Sequence, residues 1–230
     1  MGNLCVIPAR GGSKRIPRKN IKNFLGKPII AYSIEAARHS GLFDEIMVST
    51  DDEEIAAIAE EYSAAVPFKR SNKNSDDFAT TLDVITEVLE QYENAGKKFD
   101  VVCCIYPCAP FVTGAKLVEA IDLLKLKNFD SVFPVVNFSF PIQRSLQIEN
   151  DKVSFVHPEY AQARSQDLEK RFHDAGQFYL MKIEKTILNQ RIITENSGAI
   201  IISELEGQDI DSETDWQLAE LKYKLKNEIK

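Results

Sequence analysis

The amino-acid sequence predicts a three-layer α/β domain built on a mainly parallel central sheet. Short apolar runs alternate with amphipathic stretches of helical spacing along most of the chain. The first apolar run leads directly into a basic loop with two glycines, the usual place for a ligand in an open parallel sheet. Strands that alternate with helices require right-handed crossovers, so helices should cover both sheet faces. We expect the 230 residues to form one domain, residues 1–230.

The chain up to residue 136 holds the predicted core elements. Apolar runs predict strands, and amphipathic stretches between them predict helices. Pro28 suits the first turn of the first helix because its φ is fixed and it lacks an N–H group. Side-chain oxygens in residues 49–52 can cap the second helix. The predicted strands are Leu4–Ile7, Glu45–Ser49, Val66–Lys69, Val101–Ile105 and Ser131–Val135, and the predicted helices are Pro28–His39, Glu53–Tyr62, Ala79–Asn94 and Ala115–Leu126.

A change of pattern after Val136 predicts an excursion from the core over residues 137–171. Its start is aromatic and broken by proline, and its end is highly polar. Asn150 and Asp151 are typical of a hairpin turn, here between strands at 146–148 and 153–156. The chain then returns to strand-like segments at 176–181 and 199–203 and ends in a helix from Glu213 onward.

Composition excludes several classes of protein. Apolar residues at 44% and charged residues at 27% are ordinary globular values. No apolar run is long enough to cross a bilayer and no leader-like start is evident, so we expect a cytoplasmic protein without membrane contact. The net charge of −7 gives no support to a nucleic-acid surface. Cys5, Cys103 and Cys104 lie in apolar runs and should be reduced core residues, whereas Cys108 can line a pocket.

The loop from Pro8 to Asn20 predicts a polyphosphate site. It reads PARGGSKRIPRKN and contains no acidic residue. Gly11 and Gly12 allow backbone N–H groups to approach phosphate oxygens, and Lys14 adds mobile positive charge. Neither the Walker spacing nor the dinucleotide spacing of glycines is present. The loop residues expected to contact the nucleotide are Ala9, Arg10, Gly11, Gly12, Ser13, Lys14, Lys19 and Asn20.

Asp209 and Asp211 flank Ile210 near the end of the chain. In an extended segment both carboxylates point to one side while Ile210 faces the core. Two convergent carboxylates suit Mg²⁺, which prefers oxygen ligands and shared phosphate oxygens. The residues from Asp211 to Glu213 can equally cap the last helix, so the residues alone leave both alternatives open.

Five stretches together resemble the cytidylyltransferases that make CMP-activated nonulosonic acids, the sialic acid family of sugars. In chain order they are RGGSKRIPRKN, VSTDDEEIAAIAEEY, KRSNKNSDDFAT, YPCAPF and DIDSETDW, and the resemblance extends in order over nearly the whole chain. The resemblance implies a Rossmann-like nucleotide-diphospho-sugar transferase fold with a mainly parallel mixed sheet. It also favours the metal role of Asp209 and Asp211.

The resemblance implies a set of site residues. The triphosphate would be handled by Arg10 and Lys19, the ribose or phosphates by Asn20, and cytosine by Arg70 and Ala79, with Asp77 in the same stretch. The implied reaction is attack of the anomeric hydroxyl of a sugar acid on the α-phosphate of CTP, with Mg²⁺ as cofactor. Arg10, Lys19 and Asp211 are the implied catalytic residues, and Asp211 is the candidate for easing proton loss. Relatives pair through a segment here at 137–171, which implies a homodimer.

The choice of sugar acid depends on the loop after 101–105. Sialic acid synthetases usually carry Thr-Ser-Pro-Leu-Arg there, whereas this chain has apolar residues at 108–112. An apolar lining suits a methyl group, because unpaired buried polar groups are costly. The stretches YPCAPF and RSQDLEKRFHDAGQFYL look most like the pseudaminic acid branch. N-acetylneuraminic and legionaminic acids remain the alternatives. The candidate substrate contacts are Tyr106, which replaces a family glutamine, and Cys108, Ala109, Phe111, Arg164, Lys170, His173 and Gln177.

Two rival functions remain. An enzyme of the related eight-carbon keto-acid KDO usually carries Leu-Pro-Gly-Lys after the loop arginine, a sequence not present here. A nucleotide-binding module without catalysis would keep Gly11 and Gly12 but would need neither Asp209 nor Asp211.

Overall fold

The computed structural model describes residues 2–228, which form eleven strands and six helices. The strands are β1 (Asn3–Pro8), β2 (Asn23–Phe24), β3 (Lys27–Pro28), β4 (Glu45–Ser49), β5 (Val101–Ile105), β6 (Ser131–Asn137), β7 (Leu146–Glu149), β8 (Lys152–Phe155), β9 (Phe172–Asp174), β10 (Phe178–Lys182) and β11 (Ser197–Ile202). The helices are α1 (Ile29–Ser40), α2 (Glu53–Glu61), α3 (Thr81–Asn94), α4 (Gly114–Leu126), α5 (Ile183–Thr186) and α6 (Glu213–Lys226).

Seven strands make one mixed sheet in the order β11-β6-β10-β5-β1-β4, with β9 paired to β6. β1 pairs in parallel with β4 and β5, and β6 pairs in parallel with β11. β10 lies antiparallel between β5 and β6 and joins the two parallel groups. The prediction of a mainly parallel sheet is therefore confirmed, with β10 and β9 as its antiparallel strands.

Helices cover both faces of the sheet. Successive residues of β1 point to opposite faces, as the two-residue period of a strand requires. Cys5 and Ile7 pack in the cluster that includes residues of α1, α2 and α4. Leu4 and Val6 pack in a second cluster with residues of α3 and with Ile187. This arrangement confirms the three-layer prediction. None of the described helices is long and apolar enough to span a bilayer.

A third cluster joins α6 to the loop after β1. Phe24, Tyr32 and Tyr223 pack edge to face, with ring centroids 5.3–5.7 Å apart. Ile16 from the loop and Ile210 from the segment before α6 are buried in the same cluster. The cluster therefore fixes the two segments predicted to carry phosphate-binding and carboxylate groups relative to one another.

The segment 137–171 leaves the sheet after β6 and contains the predicted hairpin. β7 and β8 pair in antiparallel register, with Ile148 opposite Val153. Asn150 and Asp151 both have positive φ, 47° and 62°, as a two-residue hairpin turn requires. The hairpin side chains are largely exposed, including Leu146, Ile148 and Val153.

Two details of the sequence-based assignment are wrong. Residues 66–69 form no strand, and only Ala65 bridges to Met47. Pro67 lacks the N–H group that a ladder needs, which explains why the apolar run does not extend the sheet. Pro28 precedes α1 as its cap residue, with φ −54° and ψ 136°, instead of lying within the first turn.

Candidate active site

A cleft of about 620 Å³ opens at the carboxyl ends of β1 and β5. This is the edge at which open α/β sheets bind ligands. The cleft walls come from the loop after β1, the residues after β5, Gly176 before β10, and the segment before α6. The lining residues are Pro8, Arg10, Ser13, Lys14, Arg15, Ile16, Lys19, Asn20, Asp77, Tyr106, Pro107, Cys108, Gly176, Asp209, Ile210 and Asp211.

Hydrogen bonds within the loop after β1, and from the loop to Asp51 and Asp52, hold it in place. The Gly11 N–H donates to Oδ1 of Asp51 at 2.9 Å, and Nδ2 of Asn20 donates to the Arg10 carbonyl at 2.9 Å. Arg18 adopts a left-handed conformation with φ 55° and donates to both Asp52 oxygens, at 2.5 and 3.0 Å. Asp52 also caps α2 through the N–H groups of residues 54 and 55. The loop and the start of α2 are thus one connected unit.

The cleft cations all face carboxylates. Arg10 lies 2.7 Å from Oδ1 of Asp77, and Lys14 pairs with the other oxygen of the same carboxylate. Hydrogen bonds from Lys14 and then from Arg10 hold the pKa of Asp77 below its ordinary value. On the opposite wall, Arg15 lies 2.7 Å from Asp211. Lys19 donates to the Ile210 carbonyl at 2.7 Å and lies 3.6 Å from Asp211.

The two aspartates before α6 face the cleft together, while Ile210 between them is 1% exposed. This is the alternation that an extended segment predicts. Although much of Asp209 is solvent-accessible, partial loss of hydration raises its pKa, and Asp211 adds to the increase. Ser212 is the cap residue of α6, and it forms a capping box with Asp215. Neither cleft carboxylate is therefore needed for the cap.

A shallower depression adjoins the cleft across the same two aspartates. Its volume is about 460 Å³, and its other walls include His173, Asp174 and Gln208. No group of three or more histidine, cysteine or acidic side chains placed to hold a metal occurs within residues 2–228. A metal ion here would therefore need ligands from outside the protein as well as Asp209 and Asp211.

The predicted cytosine contacts, Arg70 and Ala79, are not among the residues that line the cleft. Arg70 is 7% exposed, and its guanidinium donates to Oγ and to the carbonyl of Ser49 at 3.0 and 2.8 Å. Burial lowers its pKa. The Ala79 N–H donates to Asp76 at 2.8 Å. Ala9 is fully buried, and its N–H donates to the Ser49 carbonyl, so of the loop residues it offers neither side chain nor N–H to a ligand.

The structure separates the predicted substrate contacts. Tyr106 and Cys108 line the cleft, and burial raises the pKa of the Cys108 thiol to about 12. Ala109 and Phe111 are 2% and 1% exposed and are not among the residues that line the cleft. The loop turns these apolar residues into the core, where Phe111 packs near Tyr223. Of residues 108–112, Cys108 is the one that lines this cleft, and the methyl-binding lining stays a prediction.

The remaining predicted substrate contacts differ in how exposed they are and in whether they line the cleft or the depression. His173 lines the adjoining depression. Gln177 is buried, and its amide donates to the Glu206 carbonyl. Arg164 and Lys170 are exposed on the excursion, outside the cleft lining, and Arg164 pairs with Asp167 at 2.7 Å.

Sequence reasoning missed three parts of the site. Arg15 belongs to the basic run but was given no role, and Asp51 was recognised only as a helix cap. Tyr179 donates to Asp174 at 2.5 Å beneath the depression, and its ring packs 5.7 Å from that of Tyr106. A capping run was a usable signal for Asp51, but nothing near Tyr179 in the sequence indicates that strand β10 enters the sheet beside β5.

Comparison with known proteins identifies the family. A family model described as cytidylyltransferase matches residues 4–214. The chain is 41% identical over 229 residues to the pseudaminic acid cytidylyltransferase of Campylobacter jejuni subsp. jejuni serotype O:23/36, covering 99% of both. It is 32% identical over 234 residues to the CMP-N,N'-diacetyllegionaminic acid synthase of Legionella pneumophila, covering 98% of this chain and 97% of that one.

Solved structures agree on the fold. A CMP:2-keto-3-deoxy-manno-octonic acid synthetase complexed with CTP superposes with a TM-score of 0.73 at 16% identity, covering 100% of both chains. The nucleotide-diphospho-sugar transferase fold is thereby confirmed. Because the family model spans residues 4–214 and the identity extends over the whole length of the Campylobacter relative, this chain belongs to the cytidylyltransferase family and is a nucleotidyltransferase.

Proposed function

We propose that the protein transfers CMP from CTP to the anomeric hydroxyl of a nonulosonic acid and releases pyrophosphate. The observation that carries the proposal is one cleft in which the loop cations Arg10, Lys14 and Lys19 lie with Asp209 and Asp211. Cations suit the triphosphate, and oxygen ligands suit a metal that shares its phosphate oxygens. The names of the Campylobacter and Legionella relatives support this class of acceptor.

In the proposed reaction an acceptor oxygen bonds to the α-phosphorus while the bond from that phosphorus to the β-phosphate oxygen breaks. Negative charge builds on the departing pyrophosphate, and Arg10, Lys14 and Lys19 oppose it. Lys19 is partly withdrawn from water, which strengthens its interaction with phosphate. The Gly12 N–H binds a phosphate oxygen, since the N–H groups of Gly11 and Ser13 already donate to Asp51 and to the Gly11 carbonyl, and Arg70 and Ala79 contact cytosine. Asn20 orients the loop and the ribose.

We infer that Asp209 and Asp211 hold Mg²⁺. Two carboxylates share the cleft, and partial burial together with Asp211 raises the pKa of Asp209, so a divalent cation beside the pair would favour its ionised form. When bound, Mg²⁺ would neutralise phosphate oxygens. Asp211 is our candidate for accepting the proton of the attacking hydroxyl.

Pseudaminic acid is the acceptor we favour. The main support is the 41% full-length identity to the Campylobacter relative. At the cleft wall, Tyr106 and Cys108 present a phenol and a thiol where sialic acid synthetases carry glutamine and threonine. His173 lines the same depression as Asp209 and Asp211 and is our candidate for contacting the sugar acid, and the buried Gln177 donates to the Glu206 carbonyl nearby.

We also propose that the protein works in the cytosol as a homodimer. All four cysteines are free thiols, and three are fully buried. The excursion 137–171 exposes Phe140, Ile148 and Val153, which would be covered by a second subunit. Arg164 and Lys170 would then reach the partner's acceptor instead of their own.

Pyrophosphate release from CTP, measured with each of the three sugar acids in Mg²⁺, tests the function. We expect turnover with pseudaminic acid and much lower kcat/KM with N-acetylneuraminic and legionaminic acids. A clear preference for either of the others would overturn the choice of sugar, and CTP binding without turnover on any acid would support a module without catalysis. Near-normal turnover of Asp211→Asn at saturating Mg²⁺ would remove Asp211 from its proposed role.

A further inference from the structure

Asp77 occupies the position in the cleft where a phosphate group would be expected. Its two carboxylate oxygens pair separately with Arg10 and Lys14. The loop that carries it, residues 75–79, has neither helix nor strand, and Asp76 accepts from the N–H groups of Phe78 and Ala79 at 2.8 Å. This small turn aims Asp77 into the cleft while its neighbour Phe78 is 89% exposed.

The cations that Asp77 pairs with are the ones assigned to the polyphosphate. A carboxylate and a phosphate group both offer anionic oxygens to the same donors, so the two anions compete for Arg10 and Lys14. Both pairs are partly exposed and so can exchange partners at low cost. The turn around Asp76 is short, and α3 begins independently behind it at the Thr80 and Asp83 capping box. Asp77 can therefore withdraw without moving α3.

We propose that Asp77 is an internal counter-ion that competes with polyphosphate for Arg10 and Lys14 and thereby promotes release of pyrophosphate. The proposal rests on the proposed function, because pyrophosphate is the product of that reaction. It assigns Asp77 a positioning role in product release.

The competition affects product more than substrate. CTP also contacts the protein through its base and ribose, whereas pyrophosphate binds through phosphate oxygens alone. When Asp77 takes Arg10 and Lys14 away from the ligand, pyrophosphate therefore loses a larger share of its binding free energy than CTP does. From the typical strength of exposed ion pairs, removal of the competitor should tighten pyrophosphate binding by roughly 3- to 30-fold.

Calorimetric titration of Asp77→Asn with inorganic pyrophosphate in Mg²⁺ tests the proposal. The amide keeps the size of the side chain but loses its charge. We expect a lower Kd for pyrophosphate than in the unchanged protein, by roughly 3- to 30-fold. An unchanged or higher Kd overturns the proposal, since a side chain that merely stabilised the loop would weaken binding when removed. Asp77→Glu, which keeps the charge, should stay close to the unchanged protein.

Glu54→Gln is the matched control. Glu54 is also an acidic partner of a loop arginine, but it pairs with Arg18, which does not line the cleft. Its pyrophosphate Kd should not fall, and an equal tightening in Glu54→Gln would overturn the specific role of Asp77. Direct titration of pyrophosphate needs no sugar acid, so the result is independent of whether any nonulosonic acid is turned over.

A second variant tests the movement with every native charge in place. Phe78→Trp puts an indole on the exposed side of the turn, and Trp216 is the sole native tryptophan. Pyrophosphate should change the fluorescence of Phe78→Trp saturably, with the unchanged protein as the background. A titration that shows binding by heat but no fluorescence change beyond that background would contradict displacement of Asp77.

Discussion

At the scale of single residues, the close approach between Gly11 and Asp52 sets the shape of the phosphate loop. A Cβ on Gly11 would lie 2.7 Å from Oδ2 and 3.0 Å from Cβ of Asp52, whereas a Cβ on Gly12 would meet nothing within 4 Å. We expect Gly11→Ala to lower the free energy of unfolding by about 1–3 kcal/mol. Gly12→Ala, the control, should stay within about 0.5 kcal/mol. Urea unfolding without nucleotide measures both, and equal losses would contradict this account.

Asp52 makes the free energy of unfolding depend on pH. The hydrogen bond from Arg18, followed by those from the backbone of α2, lowers the pKa of Asp52 to about 2, although partial burial opposes the shift. A carboxyl with a lowered folded-state pKa stabilises the protein above its unfolded pKa, near 3.9, and this contribution is lost as the pH falls towards 2. We expect Asp52→Asn to cost about 1–2 kcal/mol at pH 7 and progressively less between pH 4 and 2.

The matched variant is Asp52→Ala, which loses both the oxygen that caps α2 and the pair with Arg18, whereas Asp52→Asn keeps an oxygen that can cap the helix. The additional loss at pH 7 of Asp52→Ala over Asp52→Asn measures the cap, and the loss of Asp52→Asn itself measures the ionic contribution. Urea unfolding at several pH values separates the two contributions, and a cost of Asp52→Asn that does not change with pH would exclude the ionic one.

The site residues that could be predicted from the sequence are those with the same charge that lie close together in the chain. The crowded cations after β1 and the paired aspartates at 209 and 211 were predicted together, and they line one cleft. The sequence could not show that Ala109 and Phe111 turn into the core, because apolar side chains look the same in sequence whether they face a ligand or the core. The contact of Gly11 with Asp52 joins distant positions and could not be predicted without the sheet.

At the scale of elements, the segment between β11 and α6 is held by lysines from two helices. Glu206 lies 2.8 Å from Nζ of Lys116 and 2.6 Å from Nζ of Lys226, which links α4 to α6. Burial raises the pKa of Glu206, but these two lysines outweigh it and bring the value to about 2. Lys222 donates to the Gly207 carbonyl at 2.9 Å. The backbone leading to Asp209 is therefore fixed from both helices.

Glu206→Gln should lower the free energy of unfolding by about 1–3 kcal/mol at neutral pH, because Lys116 is left half-buried without its carboxylate. The loss should shrink as the pH falls from about 4.5 towards 2, since the native carboxyl is then protonated as well. Glu204→Gln is the control, because Glu204 is exposed and accepts a hydrogen bond from the hydroxyl of Ser139, without a lysine partner among residues 2–228. Urea unfolding that shows equal losses in the two variants would contradict the role of Glu206.

The existence of α2 and α4 could be predicted from the sequence, but the position of β10 in the sheet could not. The periodicity of residues 53–62 and 115–126 predicted α2 and α4 within a residue or two, since each buries one face. Residues 66–69 were apolar enough to suggest a strand, but Pro67 cannot donate to a ladder. The insertion of β10 between β5 and β6 depends on pairing across more than seventy residues of chain, which no local pattern records.

At the scale of the whole molecule, the excursion offers the clearest test of association. Ile148 and Val153 lie opposite each other in the hairpin and are both exposed. The double variant Ile148→Lys with Val153→Glu keeps an attractive cross-strand pair but makes the surface charged. We expect light scattering to show the mass of one chain for this variant and of two chains for the unchanged protein. Leu221→Lys, on the exposed side of α6, should remain a dimer.

The position of β10 has a consequence for how this protein can diversify. Because β6 runs towards the cleft and β10 runs away from it, the chain leaves the sheet and re-enters it at the same edge. The segment 137–171, which precedes β9, can therefore lengthen, shorten or be exchanged without altering the strand order. Such an exchange leaves the loop after β1 and the pair Asp209 and Asp211 in place. Grafting 137–171 between relatives should therefore preserve CTP binding, and the sugar preference of the graft tests whether this segment contributes to the choice of acceptor.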